Sequence, residues 1–210
     1  MPPSEDARPA GHATALASLN AATAALAVPL SAPQADTLVD YLAMLQRWNS
    51  TYNLTAVRDP AQMLTQHLAD CLAMIQPLRR FCGDSTHRLL DVGSGGGLPG
   101  VVLAVLHPAL QVTCVDTVGK KAAFVRQVAA ELRLPNLHAE HARVEQLKLP
   151  PFHIVTSRAF ASLTDFTRLT RTNLAAGGAW VAMKGKHPAE EIDSLPSDVE
   201  VFHEIGRAHV

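Results

Sequence analysis

Residues Leu89-Leu90-Asp91-Val92-Gly93-Ser94-Gly95-Gly96-Gly97-Leu98-Pro99-Gly100 constrain this chain more than any other segment. An apolar strand runs straight into glycines, and an apolar helical run, Val101 to Leu106, follows at once. Glycines suit such a turn because the backbone is tight and a ligand has to lie against bare main chain. Gly95, Gly97 and Gly100 also fit the G-x-G-x-x-G dinucleotide fingerprint, which on its own is a weak signal.

The rest of the C-terminal half repeats the strand-then-helix theme. Strands are predicted at Arg88–Val92, Val112–Asp116, Leu137–His141, His153–Ser157 and Ala179–Lys184, with helical runs over Lys120–Leu132 and Leu163–Leu174. Units of this length imply an α/β fold, a parallel sheet with helices on both faces and a crevice at the carboxyl ends of the strands. Three helical stretches are predicted upstream. The first covers Leu16 to Val28, and the second starts after Ser31 and aligns Leu38, Leu42 and Leu45. The third opens at Asp59-Pro60 and stacks Leu64, Leu68, Leu72 and Ile75. A polar-aromatic loop, Trp48 to Thr55, is expected between the last two.

Two carboxylates narrow the ligand. Asp91 ends the first strand just before the glycines, where nucleotide-binding oxidoreductases usually carry an apolar residue. A carboxylate there suits the cationic methionine end of S-adenosyl-L-methionine and is awkward beside a pyrophosphate. Asp116 ends the second strand, where it can accept hydrogen bonds from ribose hydroxyls; the rival role is a helix N-cap. Composition sets broader bounds. The 210 residues are 48% hydrophobic and 18% charged, a globular balance, and no apolar run approaches the ~20 residues of a spanning helix. The acidic start Met1 to Asp6 has no apolar core of a signal peptide, so a cytoplasmic protein without membrane contact is expected. Cys71, Cys82 and Cys114 lack metal-ligand spacing, and no metal site is expected. A net charge of −1 neither supports nor excludes an RNA partner, because a local basic face can exist on a neutral chain.

Several further motifs share one resemblance. Trp48-Asn49 with Tyr52-Asn53-Leu54-Thr55, then His67 with Asp70-Cys71-Leu72, precede the glycine loop; Gly119-Lys120-Lys121, Arg143-Val144-Glu145, Ser157-Arg158-Ala159-Phe160-Ala161 and Lys184-Gly185 follow it. Over roughly residues 35 to 195 the chain resembles the bacterial small-subunit ribosomal RNA guanine-N7 methyltransferases, also called glucose-inhibited division protein B. Cys71 departs from that pattern, which carries serine. The resemblance implies a Rossmann-like class I methyltransferase sheet behind a small helical N-terminal region. It implies S-adenosyl-L-methionine as cofactor, with Gly93 and Leu98 bordering it beside Asp91 and Gly95. Asp116 would hold its ribose, Val144 and Glu145 its adenine, and Arg158 would stand at the crevice mouth.

The substrate implied is 16S ribosomal RNA or a small-subunit precursor, and the protein is expected to act as a monomer. Lys120, Arg143 and Lys184 are candidates for RNA contacts, and Arg158, Asn53, His67 and Lys184 for positioning the base. Guanine N7 carries a free lone pair, so alignment suffices and no general base is required. The alternative is an S-adenosyl-L-methionine-dependent enzyme acting on a small molecule or a protein. A nicotinamide oxidoreductase is opposed by Asp91, and a catalytically inert binding protein by the complete cofactor array.

The expected organisation is a disordered N-terminus at 1–12, a helical region at 13–84 and the cofactor-binding methyltransferase domain at 85–203. Residues 204–210, Glu204 to Val210, read as a non-native tail, the translation of a sequencing adapter. Val199 to about Glu204 is expected to start a closing antiparallel strand pair whose second member is missing.

Overall fold

The computed structural model describes residues 10–55, 68–83, 86–158, 160, 162–185 and 188–201. Five parallel strands form one sheet: β1 (Arg88–Val92), β2 (Gln111–Asp116), β3 (Leu137–His141), β4 (Phe152–Ser157) and β5 (Leu174–Ala182). Their order is β3-β2-β1-β4-β5, so the chain reverses its direction of travel across the sheet between β1 and β4. Crevices in doubly wound sheets open beside such a switch, at the carboxyl ends of the strands. The glycine loop leaves β1 at that place.

The helices are α1 (Ala10–Ala25), α2 (Ala32–Tyr52), α3 (Ala69–Ala73), α4 (Ile75–Cys82), α5 (Gly100–Leu106), α6 (Gly119–Glu131), α7 (Leu163–Thr170) and α8 (Ala189–Asp193). Helix α2 begins with a capping box. Ser31 Oγ accepts from the Gln34 amide at 3.4 Å, Gln34 Oε1 accepts from the Ser31 amide at 3.0 Å, and Pro33 lies in the first turn. It ends at Asn53, a left-handed cap with φ 51°.

Burial alternates along β1. Leu89 joins a cluster that also contains Leu19, Leu38, Leu45, Leu72, Val101, Val112, Phe124 and Ile154, so the N-terminal helices and one face of the sheet share a core. Leu90 and Val92 belong to a second cluster on the opposite face, with Val115, Val144, Phe152, Val155 and Phe166. Leu68, Leu72 and Ile75 are buried together as the heptad-like spacing predicts, although Met74 interrupts the helix between α3 and α4.

The elements depart from the sequence reading at several boundaries. Helix α1 starts at Ala10, inside the expected disordered segment, because an alanine-rich run propagates at little cost; it stops at Ala25, and Ala27 turns left-handed (φ 51°). The expected loop from Trp48 is helical to Tyr52, since the Trp48 and Tyr52 rings sit four residues apart and pack with centroids 5.1 Å apart. Strand β5 begins at Leu174 and not at Ala179, and the preceding helix ends at Thr170, followed by a 3₁₀ turn at Arg171–Asn173. Gly177 and Gly178 form a bulge inside β5, with Phe152 opposite Leu174 and Ile154 opposite Ala179. Residues 199–201 are not a strand. The start of the third helix at Asp59-Pro60, and residues 204–210, lie outside the described residues.

Helix α2 is joined to the glycine loop directly. The buried Tyr41 hydroxyl donates to the Gly96 carbonyl at 2.6 Å, and a Cβ on Gly96 would meet Leu45 Cδ1 at 2.6 Å. Replacing Tyr41 with Phe leaves that carbonyl buried and unpaired, which should lower unfolding stability by about 1–3 kcal/mol. Urea unfolding measures this, and a loss below about 0.5 kcal/mol would mean that Gly96 finds another donor.

Candidate functional site

The glycine loop is folded back on itself by its own backbone and by two acids. Gly93 and Ser94 both donate their amides to the Val115 carbonyl, at 2.8 and 3.3 Å, which hooks the loop onto the end of β2. Gly93, Gly95 and Gly97 have φ of 68°, 58° and 87°, in the left-handed region where a side chain is strained. Gly100 opens α5 with no room for a Cβ, which would collide with Cys114 Sγ and come within 3.0 Å of Asp91 Oδ2.

Asp91 is fully buried between Cys114 of β2 and Thr156 of β4. Its Oδ2 accepts the Gly100 amide at 2.9 Å, while Oδ1 is buried without a hydrogen-bond partner among the described residues. Desolvation pushes its carboxyl up to about 7; the Gly100 amide and the Arg158 charge oppose this, and the charge of Asp116 adds to it. Asp116 is 6% exposed. Its Oδ2 accepts the Gly95 amide at 3.0 Å and its Oδ1 the Val118 amide at 2.9 Å, with Lys121 Nζ 3.8 Å from Oδ2. Asp116 therefore braces the loop and the turn into α6, and the N-cap position itself falls to Val118. A carboxylate has about four lone-pair positions, so these bonds leave it able to accept more.

The loop Asn53 to Thr55 backs onto the glycines, with the Leu54 carbonyl 3.6 Å from where a Gly95 Cβ would stand. Buried Asn49 fixes that loop by accepting the Thr55 amide on Oδ1 at 2.8 Å. Asn53 is exposed and Leu54 buried. Leu98 is buried, next to the glycine turn.

Other candidate residues sit differently from the sequence expectation. Arg158 is half-buried just after the carboxyl end of β4, its positive charge bears on Asp91, Tyr41 and Cys71, and its Nε is buried without a hydrogen-bond partner among the described residues. Val144 is 6% exposed and packs its side chain into the second cluster, so an apolar wall for a purine has to come from elsewhere. Glu145 follows it, exposed, in the 3₁₀ turn Val144–Gln146, with Arg143 exposed at its start. Lys184 is ion-paired with Glu191 of α8 at 2.8 Å, and Glu191 also accepts the Leu163 amide at 2.8 Å, so this glutamate ties the segment after β5 and the start of α7 to α8. Lys120 is exposed beside Tyr52. His67 lies outside the described residues.

Three residues at this place were not among the expected ones: Tyr41, Asn49 and Val118. The available signal for Val118 was an apolar residue two positions after the strand-end acid; it stands 44% exposed at the rim. Tyr41 carried no local signal beyond its place on an apolar helix stripe. No helix among the described residues is long and apolar enough to cross a membrane.

Comparison with known proteins bears on this geometry. The sequence profile of a family described as rRNA small subunit methyltransferase G, GidB, matches residues 34–207. The ribosomal RNA small subunit methyltransferase G of Leptothrix cholodnii is 64% identical over 185 residues, covering 88% of this chain and 85% of that protein. Its namesake in Verminephrobacter eiseniae is 54% identical, covering 92% and 88%. The crystal structure of TrmN from Thermus thermophilus superposes with a TM-score of 0.50 at 22% identity, over 67% of this chain and 48% of that one, a likeness of fold.

The buried acid predicts a pH dependence. Asp91 titrates near 7 when folded against an ordinary 3.8, so the folded protein holds a proton that the unfolded chain has released between those values. Stability from this group is complete below about pH 4 and lost as pH rises through about 7. Between pH 5 and 8 the native protein should lose on the order of 2–3 kcal/mol relative to Asp91→Asn, which keeps an acceptor for Gly100 but has no proton to lose. Urea unfolding of both proteins across that range measures it, and parallel profiles would refute the assignment.

Proposed function

The chain belongs to the rRNA small subunit methyltransferase G family, and from that premise we propose that it transfers the methyl group of S-adenosyl-L-methionine to N7 of a guanine in 16S ribosomal RNA. The observation that carries the reading is the acid–glycine–acid array, Asp91, the loop Gly93 to Gly100 and Asp116, at the carboxyl end of β1 and β2 in a chain of this family. The alternative, the same chemistry on a small molecule or protein, has no comparable support.

The residues present fit the cofactor. Asp91 Oδ1 is a buried acceptor with no hydrogen-bond partner among the described residues, next to a loop of bare backbone. A buried carboxylate in that state favours a cationic neighbour. When bound, S-adenosyl-L-methionine supplies a sulfonium-activated methyl group. Gly93 and Gly95 would lie along it with Leu98 behind, Asp91 would face its charged amino acid end, and Asp116 would take its ribose hydroxyls. The backbone at Val144 and Glu145 would border its adenine, with Val118 offering the apolar surface that the buried Val144 side chain does not. The Arg158 charge lowers the proton affinity of Asp91 and so partly offsets the effect of burial, and it would compete with other cationic groups for that carboxylate.

The protein's remaining task is alignment. Guanine N7 presents a lone pair and no proton, so no side chain has to act as a base before the methyl moves. Asn53, at the exposed end of α2, and His67 are the positioning groups we assign to the base. Lys184, ion-paired with Glu191, would have to give up that pair to reach RNA, and we therefore rank Lys120 and Arg143 ahead of it. We read the protein as a cytoplasmic monomer acting on RNA of the small subunit or its precursor.

The test is to incubate the protein with methyl-labelled S-adenosyl-L-methionine and small-subunit ribosomal RNA lacking the modification, then to cleave chemically at N7-methylguanine. Label in the RNA and cleavage at a single guanine are expected. Asp116→Ala should raise KM for the cofactor at least about tenfold, the loss of a bidentate ribose contact, with KM for RNA little changed. Cofactor binding without label in RNA, or label without N7 cleavage, would overturn the substrate assignment.

A further inference from the structure

Tyr52 and Lys120 form a pair to which the cofactor assignment above gives no role. Tyr52 ends α2 with 41% of its surface exposed, and Lys120 Nζ stands 5.0 Å from the centroid of its ring. Behind Tyr52 lies Trp48 at 5.1 Å, and Trp48 rests in turn on Phe124 of α6 at 5.3 Å. The exposed ring is thus the outer layer of an aromatic stack anchored in the core. The two neighbouring lysines have separate roles. Lys121 points to the buried carboxylate of Asp116, whereas Lys120 points outward to the ring. Both members of the pair are on the rim of the crevice. Two residues after Tyr52 the Leu54 carbonyl lies 3.6 Å from where a Gly95 Cβ would stand, and Lys120 is in the first turn of α6, which follows Asp116 and the exposed Val118.

We propose that Tyr52 and Lys120 form the platform that holds an unpaired nucleotide of the substrate RNA, a base stacking on the Tyr52 ring and an adjoining phosphate meeting Lys120. The inference rests on the RNA methyltransferase reading above and adds the surface that engages the RNA. An exposed ammonium over a tyrosine face is a weak attraction in water, and RNA offers each member a better partner. Aromatic faces stack on any unpaired base, and proteins that act on single-stranded RNA use them in this way. A phosphate pairing with a lysine releases a counterion and gains affinity that depends on salt. The anchored Trp48 and Phe124 keep the ring in place, so little ordering is needed at the moment of binding.

The experiment compares wild type, Tyr52→Leu, Tyr52→Phe and Lys120→Gln, each with S-adenosyl-L-methionine and unmodified small-subunit ribosomal RNA, across a salt series. Tyr52→Leu should raise KM for RNA about tenfold, as loss of one base–aromatic stack does, with KM for the cofactor unchanged; Tyr52→Phe, which keeps the ring, should behave as wild type. Lys120→Gln should flatten the slope of log affinity against log salt, measured by RNA binding in the presence of S-adenosylhomocysteine, by about 0.7. An exposed lysine serving packing alone would not move that slope. The proposal is overturned if Tyr52→Leu and Lys120→Gln both keep wild-type RNA affinity and salt slope. It is equally overturned if cofactor and RNA affinity fall together, the mark of a packing defect. Wild type that neither binds nor labels the RNA would instead overturn the function assigned above, and the platform with it.

Discussion

The hydrogen bond from the Gly100 amide to Asp91 Oδ2 is the constraint around which the site is built. It joins the end of β1 to the start of α5 across nine residues, inside a region from which water is excluded. A carboxylate there has to be neutral, paired or hydrogen-bonded, and one amide satisfies only one of its oxygens. Gly100 must come close enough to donate, which forbids a Cβ, and the adjacent strand residue must be small, which Cys114 provides. The same closeness turns the loop's left-handed glycines toward the carboxyl end of the sheet, where a ligand can lie on main chain. Loop shape and the packing of β2 are therefore tied to one buried contact, which also opposes the rise in proton affinity that burial imposes on Asp91.

The N-terminal helices complete that arrangement. Tyr41 donates to Gly96 and Leu45 fills the space a Gly96 side chain would need, while the Leu54 carbonyl closes on Gly95. Two successive turns of α2, at Tyr41 and Leu45, and the residue after its C-cap thus line one side of the loop, and the opposite side is the sheet. The glycine loop therefore has two walls from regions that the sequence pattern separates. This coupling explains why the polar-aromatic segment after Trp48 bears on the chemistry although it precedes the glycines by some forty residues.

Much of this was legible from the chain. Strands β1 to β4 fall within a residue of their expected limits, and the runs of β1, β2 and β4 each meet a glycine, an acid or a proline at one end. The two strand-end acids, the glycine loop and the family resemblance led to the same cofactor. What was not legible depended on distant partners. Asn49, Ser50 and Thr51 look like loop residues, yet the Trp48–Tyr52 contact and the packing of Trp48 on Phe124 keep them helical. Gly177 and Gly178 fall outside the expected strand because a bulge opposite Phe152 and Ile154 exists only once β4 is alongside. Val144 reads as an exposed apolar contact, but the cluster around Phe166 takes its side chain. Lys184 reads as a free cation until Glu191 of α8 is brought against it.

Electrostatics at the crevice differ from the sum over the chain for a related reason. Net charge is −1, which on its own would repel RNA slightly. The acids nearest the glycine loop, however, do not present that charge to solvent. Asp91 is fully buried and close to half-protonated at neutral pH, and Asp116 is covered, hydrogen-bonded to two amides and approached by Lys121. The charges left exposed around the same rim include Lys120 and Arg143, with Glu145 beside them. Over a screening length of ~8 Å an approaching phosphate responds to this local set and not to the total. With the acids we assign to the cofactor covered, the exposed charge around the glycine loop is left to Lys120, Arg143 and Glu145, the set that an RNA substrate would meet.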